Sequence, residues 1–473
     1  LVGALRRAAA LMLYDMLWRF LLFLLASWHG SSAFAGSVPP GFEVVTSIGD
    51  LLAAVGRTTD TSQLWLPEGT HLEMNGTELV VSRVEVTISS EGLGASISAS
   101  WQHRVVRVEK AGKLFLHRVA LQHGLSGSGG GCAFIDGSAG GTATLSLSSS
   151  SIQHCSGGSG GAVLVNSGRL LLVNSSIEDS QSVCEHTYSF GGSIMLNDGV
   201  VSLLQSSIRR AATICGSGSA AAGALYMTGG VSTIINSSVT DVSATSYGST
   251  ARGGAFGING GSITIDGSVI DGAVAAVHDR VSPAKGGGVF IGGGEVLIRH
   301  SVISNGGVYY GRPNWTEPVE LSTDPEARSA YGGAVHIEGG VLSMVGVTIY
   351  NTSSRTYTAH FNGAASGGGM HVDGGTVFMS NCVVSHTVTL SIGGHTLGSG
   401  LFLWTGLLEV SDTLVTNAVA VTYGREDAPG YVCGGGVFMR DGSLTLARCT
   451  ISASRAESTF GDAYGGGLCF LGG

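Results

Sequence analysis

Charge and proline are both scarce in this sequence. Only 12% of its 473 residues are charged and 8 are proline, whereas about a quarter of an ordinary globular protein is charged. The net charge is −9, and lysine and arginine form no cluster. The electrostatic signature of nucleic-acid binding is therefore missing, and we expect no nucleic-acid partner.

Long apolar runs are missing as well. Arg19 precedes a short apolar run, Phe20–Ala26, and Ala33 and Ala35 have the small-x-small spacing of a signal-peptidase site. Residues 1–35 are therefore predicted to contain a secretory signal peptide. The alternative is a membrane anchor, but the run is well short of the roughly 20 residues that span a bilayer. We expect a secreted or cell-surface protein with no transmembrane segment in its mature part.

Glycine, by contrast, is abundant, and much of it lies in a nine-residue block that recurs along the chain. Two copies read GGAVHIEGG and GGGMHVDGG. Most copies start 31 residues after the previous one, and a period of this length indicates a solenoid, a propeller or an array. The eleven copies start at Gly129, Gly160, Gly191, Ala222, Gly253, Gly286, Gly332, Gly367, Gly398, Gly434 and Gly465.

The fourth and sixth positions of the block are apolar in every copy, with Cys132 and Phe134 at these positions in the first. Alternate residues of a strand point to opposite faces, so we expect these positions to face a core and positions five and seven to face outward. Short alternating runs such as Arg169–Ser180 follow each block. About three short strands per period, without helical spacing, predict an all-β parallel β-helix.

The residues before the blocks add a resemblance. Ser47–Gly56 has helical apolar spacing and is predicted to be a short N-terminal capping helix; it is followed by a strand ending in PEGT and by VEVTISS. This arrangement resembles the start of pectin-lyase-like right-handed β-helices. The glycine blocks resemble the repeats of chlamydial polymorphic outer-membrane proteins, although the Phe-x-x-Asn tag of those repeats is absent. The resemblance covers residues 42–473 and implies a right-handed parallel β-helix.

The expected organisation has three parts. Residues 1–35 hold the signal peptide and the residues upstream of it. Residues 36–128 form the N-terminal cap and the first irregular coils. Residues 129–473 form regular coils with an expected truncation at the C-terminus, and the sequence leaves open whether an anchor or a further domain follows.

Asparagines and cysteines recur at the same period. Asn174, Gln205 and Asn236 are one period apart and are predicted to stack as a buried ladder of amides. Asn174 and Asn236 also fit the N-glycosylation sequon, but we favour the ladder for both. The remaining sequons are at Asn75, Asn314 and Asn351, of which Asn314 is the best glycan site if the host is eukaryotic.

Cys184 and Cys215 are one period apart, and Cα atoms about 4.8 Å apart on adjacent coils suit a disulfide. Cys132, on the core face, is expected to be free. Cys382 and Cys449 share a column two coils apart, which is too far to pair. The sequence has no CxxC pair, so we expect no thiolate zinc site.

His336 and His371 occupy position five of adjacent blocks, and Glu338 and Asp373 occupy position seven. We expect these four side chains to form an outward-facing patch with Cβ atoms about 5 Å apart. Such a patch could act as acid and base, or bind a divalent metal such as zinc. It could equally be a solvated or packed face left by duplication of a coil, and no cofactor is predicted.

Aromatic side chains are expected on the same face, beside an insertion at Val308–Ala330. A long insertion in a regular repeat is usually functional or disordered. Aromatics near carboxylates and arginine suit a sugar polymer, and grooves of the fold that this chain resembles often bind polysaccharide. The candidate ligand-binding residues are Phe290, Tyr309, Trp315, Phe402, Trp404, Phe438 and Arg440.

Two functions remain open. The first is a secreted or cell-surface, non-enzymatic β-helix protein that binds carbohydrate or mediates adhesion through an extracellular polysaccharide or cell-surface ligand. The alternative is a polysaccharide lyase or glycoside hydrolase acting on a cell-wall polymer through His336, Glu338, His371 and Asp373. The first is favoured because the clustered aspartates of β-helix lyases and hydrolases are absent: Asp136 and its equivalents sit beside glycine, where turns prefer aspartate.

Overall fold

Parallel strands stacked in successive coils make up 55% of the structure. The computed structural model describes residues 38–278, 282–311, 329–357, 363–424 and 430–471. The strands and the helix that it describes all belong to one unit, Glu43–Gly473. They form an all-β parallel β-solenoid of about 12 turns, as the repeat predicts. The predicted signal peptide lies outside the described residues.

The predicted N-terminal helix is present as α1, Ile48–Arg57. Ser47 caps it, because the Ser47 hydroxyl accepts the N–H of Asp50 at 3.2 Å. Its apolar residues Leu51 and Val55 lie one helical turn apart and are buried in the core of the solenoid.

A regular coil contains five strands, and each strand pairs in parallel with its equivalent in the next coil. The first strands are Leu79–Ser82, Val106–Glu109, Ala133–Asp136, Val163–Ser167, Ile194–Leu196, Leu225–Met227, Phe256–Ile258, Val289–Ile291, Val335–Ile337, Val437–Met439 and Leu468–Phe470. The second strands are Glu43–Val44, Thr61–Trp65, Glu85–Ser89, Lys113–His117, Thr144–Ser148, Arg169–Val173, Val200–Leu204, Val231–Ile235, Ser262–Asp266, Glu295–Arg299, Val341–Val345 and Ser443–Ala447. In two coils the first and second strands are continuous, as Met370–Ser380 and Leu401–Ser411. Together they form a 25-stranded sheet.

The third strands form a 13-stranded sheet: His71–Glu73, Ala95–Ser98, Val119–Gln122, Ser151–Gln153, Ser176–Glu178, Ser207–Arg209, Ser238–Thr240, Val269–Asp271, Val302–Ser304, Thr348–Tyr350, Val383–Ser385, Leu414–Thr416 and Thr450–Ser452. The fourth strands form an 11-stranded sheet: Leu125–Ser126, Ser156–Gly157, Gln181–Cys184, Ala212–Cys215, Ser243–Ser246, Val274–Val277, Gly307–Tyr310, Ser353–Tyr357, Val388–Ile392, Val419–Tyr423 and Arg455–Ser458. The fifth strands form a nine-stranded sheet: Tyr188–Phe190, Ser219–Ala221, Ala251–Arg252, Ala284–Lys285, Ala330–Tyr331, Ala364–Ser366, His395–Leu397, Val432–Cys433 and Ala463–Tyr464.

Like residues stack on like along the main core, which lies inside the first three strands of each coil. Leu342, for example, pairs with Val296 in one neighbouring coil and with Val377 in the other, and all three are buried. Stacked aliphatic side chains at strand spacing exclude water along the length of the solenoid.

The fourth and fifth strands were missed by the expectation of three strands per coil. They face each other across a second, narrow core of small side chains that includes Ala251, Ala275 and Ala284. The hydroxyls of Ser182 on a fourth strand and Ser189 on a fifth strand lie 2.5 Å apart. Segments rich in alanine, serine and threonine look like loops in sequence, but here they allow two sheets to approach closely.

The first block is shifted by one residue from its predicted position. Ala133 pairs with Val163 and Ile135 with Val165, so the core positions are Ala133 and Ile135. Phe134 therefore points away from the main core. An additional glycine at the start of this block made the two alignments look equivalent in sequence.

The predicted amide ladder is replaced by a ladder of serine hydroxyls. Asn174, Gln205 and Asn236 are in register, but their side chains are exposed and their φ angles are positive, at 48°, 50° and 49°. The next residue in each coil is a buried serine. The Ser206 hydroxyl accepts the N–H of Ser175 at 3.2 Å and donates to the Leu204 carbonyl at 2.8 Å.

Three disulfides are present. Cys184–Cys215 joins adjacent coils with a Cα–Cα distance of 4.7 Å, as the 31-residue spacing predicts. The sequence predicted a free thiol at Cys132, but this prediction is wrong, because Cys132 is bonded to Cys155. Both cysteines lie inside the same coil, so this bond crosses the core and follows no repeat period. The third disulfide is Cys433–Cys469, and Cys382 and Cys449 are free thiols.

Ser206→Ala tests the serine ladder. The substitution should lower the free energy of unfolding by about 1–3 kcal/mol, because it leaves the buried N–H of Ser175 without its acceptor. Urea unfolding followed by circular dichroism measures the change. Ser207→Ala, one residue further on and half-buried, is the matched control and should change stability by less than about 0.5 kcal/mol. Equal effects of the two substitutions would show that the ladder adds no stability.

Candidate functional site

Position five of each block does not face solvent, which corrects the outward-facing patch predicted from sequence. His336 is 0% and His371 is 3% exposed. These side chains do point away from the main core, but the last residue of each fifth strand covers them. Tyr331, for instance, lies against both imidazoles, with ring centroids 5.9 Å from His336 and 4.8 Å from His371.

From Phe290 to Phe438, the residues at position five form a continuous column of rings in contact. Successive centroid distances are 5.8 Å from Phe290 to His336, 4.8 Å to His371, 4.3 Å to Phe402 and 5.0 Å to Phe438. The three phenylalanines, predicted to bind ligand, are at most 1% exposed. Their role in this structure is packing between the first strand and the fifth strand.

Polar groups surround the two histidines on the side that reaches the surface. Nε2 of His336 lies 3.5 Å from Oε1 of Glu338, and Lys285 donates a hydrogen bond to the same carboxylate oxygen. Nδ1 of His336 has no hydrogen-bond partner among the described residues. Nδ1 of His371 lies 2.7 Å from the Ser366 hydroxyl.

Burial and charge move the pKa values in this cluster in different directions. Burial lowers the pKa of His336 to about 4, although Glu338 partly offsets it. Burial also lowers the pKa of His371, helped by His336 and Lys285. Burial raises the pKa of Glu338, but His336 and Lys285 outweigh it, so the net pKa is lowered. The pKa of Asp373 is raised by burial, against the attraction of Lys285.

The chemistry open to this cluster is limited by access. Both histidines are neutral at neutral pH and enclosed, so a substrate could reach only Glu338, Lys285 and Asp373. In the described part of the chain, no group of three or more histidine, cysteine, aspartate or glutamate side chains could hold a metal ion. An ion pair with a neighbouring carboxyl of raised pKa is the accessible chemical feature.

The remaining predicted ligand residues do not form one face. Trp404 is half-buried, and the exposed guanidinium of Arg440 lies 3.8 Å above its ring. Tyr309 belongs to a fourth strand, where Arg355 lies 5.9 Å from its ring. Trp315 lies outside the described residues.

Sequence reasoning missed the residues that precede each glycine block. Lys285, Tyr331 and Ser366 end successive fifth strands and are in register, so they lie over position five of the blocks. Arg252 precedes them, 5.2 Å from the ring of Phe290. The signal was available, because each of these residues comes directly before a block, but the three strands predicted per period include none in the segment before the block.

From Val163 onward, variation in coil length is found at one edge of the solenoid, whereas the preceding coil has extra residues between its first strand, Ala133–Asp136, and its second strand, Thr144–Ser148. In every coil from Val163 to Leu401, the first strand starts the same number of residues before the third strand and before the fourth strand. The same holds for the second strand wherever it is separate from the first. Extra residues enter only between the fourth and fifth strands, as between Tyr310 and Ala330. We call the positions at the end of the fourth strands, which precede these connections, the loop edge; between Tyr247 and Tyr423 its described side chains are Tyr247, His278, Tyr357, Ile392 and Tyr423.

Aromatic and aliphatic side chains are exposed along the loop edge. Tyr247 is 50% and Tyr423 is 53% exposed, with Ile392 at 39%. The Tyr247 ring stacks on His278 with centroids 5.0 Å apart. Tyr357, Ile392 and Tyr423 follow one another in register on consecutive coils. This arrangement gives a row of side chains at the spacing of a parallel sheet.

Comparison with known proteins identifies no relative: no protein-family model, curated protein or solved structure matches the chain. The class defined by the structure is the parallel β-solenoid, and the resemblance to pectin-lyase-like and polymorphic outer-membrane proteins stays a prediction. The one described helix is too short and too polar to cross a membrane.

Acid should destabilise the protein through the buried histidines. A folded-state pKa of about 4 for His336, below the unfolded value of 6.5, means that the unfolded chain takes up the proton first. The free energy of unfolding should therefore be undiminished by His336 above pH 6.5 and should fall by about 3 kcal/mol as the pH falls toward 4. His371 acts in the same direction.

His336→Phe tests this account, because phenylalanine already occupies the column on neighbouring coils. The thermal midpoint of the variant should fall less than that of the native protein between pH 7 and pH 4.5. His186→Gln, at an exposed histidine, serves as control and should follow the native curve. An unchanged acid response in His336→Phe would contradict the assignment.

Proposed function

We propose that this protein is a secreted or cell-surface, non-enzymatic rod that binds an extracellular carbohydrate or another cell-surface ligand through its loop edge. The observation that carries the proposal is the position of the length variation. Coils with invariant strand spacing tolerate insertions only between the fourth and fifth strands. In repeat proteins, insertions confined to one face often mark the binding face.

The side chains of the loop edge suit such a ligand. Exposed tyrosine rings combine an apolar face with a hydroxyl, so they can stack on a sugar ring and hydrogen-bond to its hydroxyls. Half-buried Tyr357 and exposed Ile392 and Tyr423 present this surface on three consecutive coils. A polymeric ligand could contact several coils at once, and weak contacts would add together.

The disulfides support an extracellular location. Disulfides persist in oxidising compartments and are rare in the cytosol. Six of the eight cysteines are paired, including Cys132–Cys155, whose sulfur atoms lie in the main core. The predicted signal peptide at residues 1–35 points to the same location.

One observation favours the alternative of a polysaccharide lyase or glycoside hydrolase acting on a cell-wall polymer. Glu338 and Asp373 have pKa values shifted in opposite directions, and such pairs can divide acid and base roles. Against it, the two histidines are enclosed and Glu338 is engaged by Lys285. We therefore keep the binding function as the conclusion.

The binding proposal is tested with the double variant Tyr357→Ala/Tyr423→Ala on a panel of extracellular polysaccharides and on intact cells. Losing two stacking contacts should weaken binding at least about tenfold, which corresponds to about 1.4 kcal/mol. Surface plasmon resonance or pull-down with insoluble polymers measures the change. Tyr350→Ala is the matched control, since Tyr350 is 43% exposed but belongs to a third strand.

The control should bind as the native protein does. If the double variant binds as tightly as the native protein, or if Tyr350→Ala weakens binding equally, the loop edge is not the binding surface.

A further inference from the structure

A polar groove runs along the turns between the second and third strands. Its volume is about 910 Å³, and it crosses several coils. Exposed Asn174, Gln205 and Asn236 line it on successive coils, together with the serines that follow them. Nothing in the binding proposal uses this groove.

Two of the asparagines lie in N-glycosylation sequons, Asn174-Ser175-Ser176 and Asn236-Ser237-Ser238. A buried amide ladder would have excluded a glycan, but the structure has no such ladder at these positions. The Asn174 amide makes one long hydrogen bond, 3.4 Å to the Ser149 hydroxyl. The Asn236 amide makes none among the described residues.

The serines of the two sequons have separate structural positions. Ser175 and Ser237 form the buried hydroxyl ladder, whereas Ser176 and Ser238 begin third strands and are half-buried. The asparagine side chain is therefore the part of each sequon that is free to project from the folded coil. The residue after Asn236 in the same column is Gly267, where a Cβ would lie 2.5 Å from Oδ1 of Asn236, so the Asn236 amide packs against a position without a side chain.

Another exposed sequon differs from these two. Asn351 also projects from the surface, but its Nδ2 donates a 2.7 Å hydrogen bond to Asn305 of the neighbouring coil. A glycan on that nitrogen would have to displace an existing interaction. Asn174 and Asn236 carry no comparable constraint, and they open into the same groove.

We propose that Asn174 and Asn236 are N-glycosylation sites whose glycans occupy this groove, an inference that rests on the proposed passage of the chain through a secretory route. In the transfer, the amide nitrogen loses a proton and bonds to the anomeric carbon of an oligosaccharide. The oligosaccharide comes from a lipid-linked diphosphate donor, and the lipid diphosphate leaves. The glycans would cover the turns beside the third-strand sheet and leave the loop edge exposed.

The test expresses the full chain in a eukaryotic secreting cell behind a foreign signal peptide. Entry into the secretory route then does not depend on residues 1–35, so failure of glycosylation is separate from failure of the proposed secretion. Enzymatic deglycosylation in ¹⁸O-water converts each glycosylated asparagine to labelled aspartate, which peptide mass spectrometry locates. Protein retained in the cells is analysed in the same way as secreted protein.

We expect label at both Asn174 and Asn236. Ser176→Ala should abolish the label at Asn174, and Ser238→Ala should abolish the label at Asn236. Each substitution should also lower the apparent mass on an electrophoresis gel by the mass of one glycan. Ser207→Ala is the matched control. Ser207 lies in the coil between Ser176 and Ser238 and pairs with both of them, but it belongs to no sequon. It should change neither label nor mobility.

Absence of label at Asn174 and Asn236, while a co-expressed secreted glycoprotein is labelled, would overturn the proposal. Label at Asn75 or Asn351 alone would overturn it equally, since those sites lie outside the groove. In either case the binding proposal would stand, because it is decided by the loop-edge variants.

Discussion

Parallel hydrogen bonding between equivalent strands of successive coils is the constraint on which this structure depends. Each backbone group of a strand finds its partner one coil away, so neighbouring coils must keep the same spacing wherever they pair. The same register places like side chains on top of one another, which produces the aliphatic core, the serine ladder and the ring column that contains His336 and His371. A change in length is tolerated only where the chain leaves the sheets, and from Val163 onward the insertions all lie between the fourth and fifth strands.

The solenoid itself could be predicted because glycine spacing and two apolar columns repeat in every block. The fourth and fifth strands could not, since their core consists of alanine, serine and threonine, which have the composition of loops. The same omission led to the wrong prediction for the candidate site. Alternation correctly turned His336 and Phe402 away from the main core, but it could not reveal that residues such as Tyr331, on a strand hidden in sequence, would cover them. The Cys132–Cys155 bond was missed because it lies within one coil and follows no period.

The structure therefore separates two regions that the sequence had merged. Histidines and phenylalanines at position five bind the fifth-strand sheet to the first, and Lys285 with Glu338 closes the polar side of that contact. The exposed rings of Tyr247 and Tyr423 lie elsewhere, on the loop edge, where the coils differ from one another. A solenoid whose coils keep one strand spacing from Val163 onward and vary at one edge fits recognition of an extended ligand better than it fits catalysis at a fixed point.

The central claim is that this solenoid binds without cleaving, and the most direct measurement is the chain length of candidate polymers after incubation with the protein. Plant, algal and bacterial polysaccharides would be followed by size-exclusion chromatography, with and without a chelator. The account predicts unchanged length for every polymer, including any that the protein binds. Shortening by the native protein that is lost in Glu338→Gln or Asp373→Asn would contradict it and would make the polar cluster an active site.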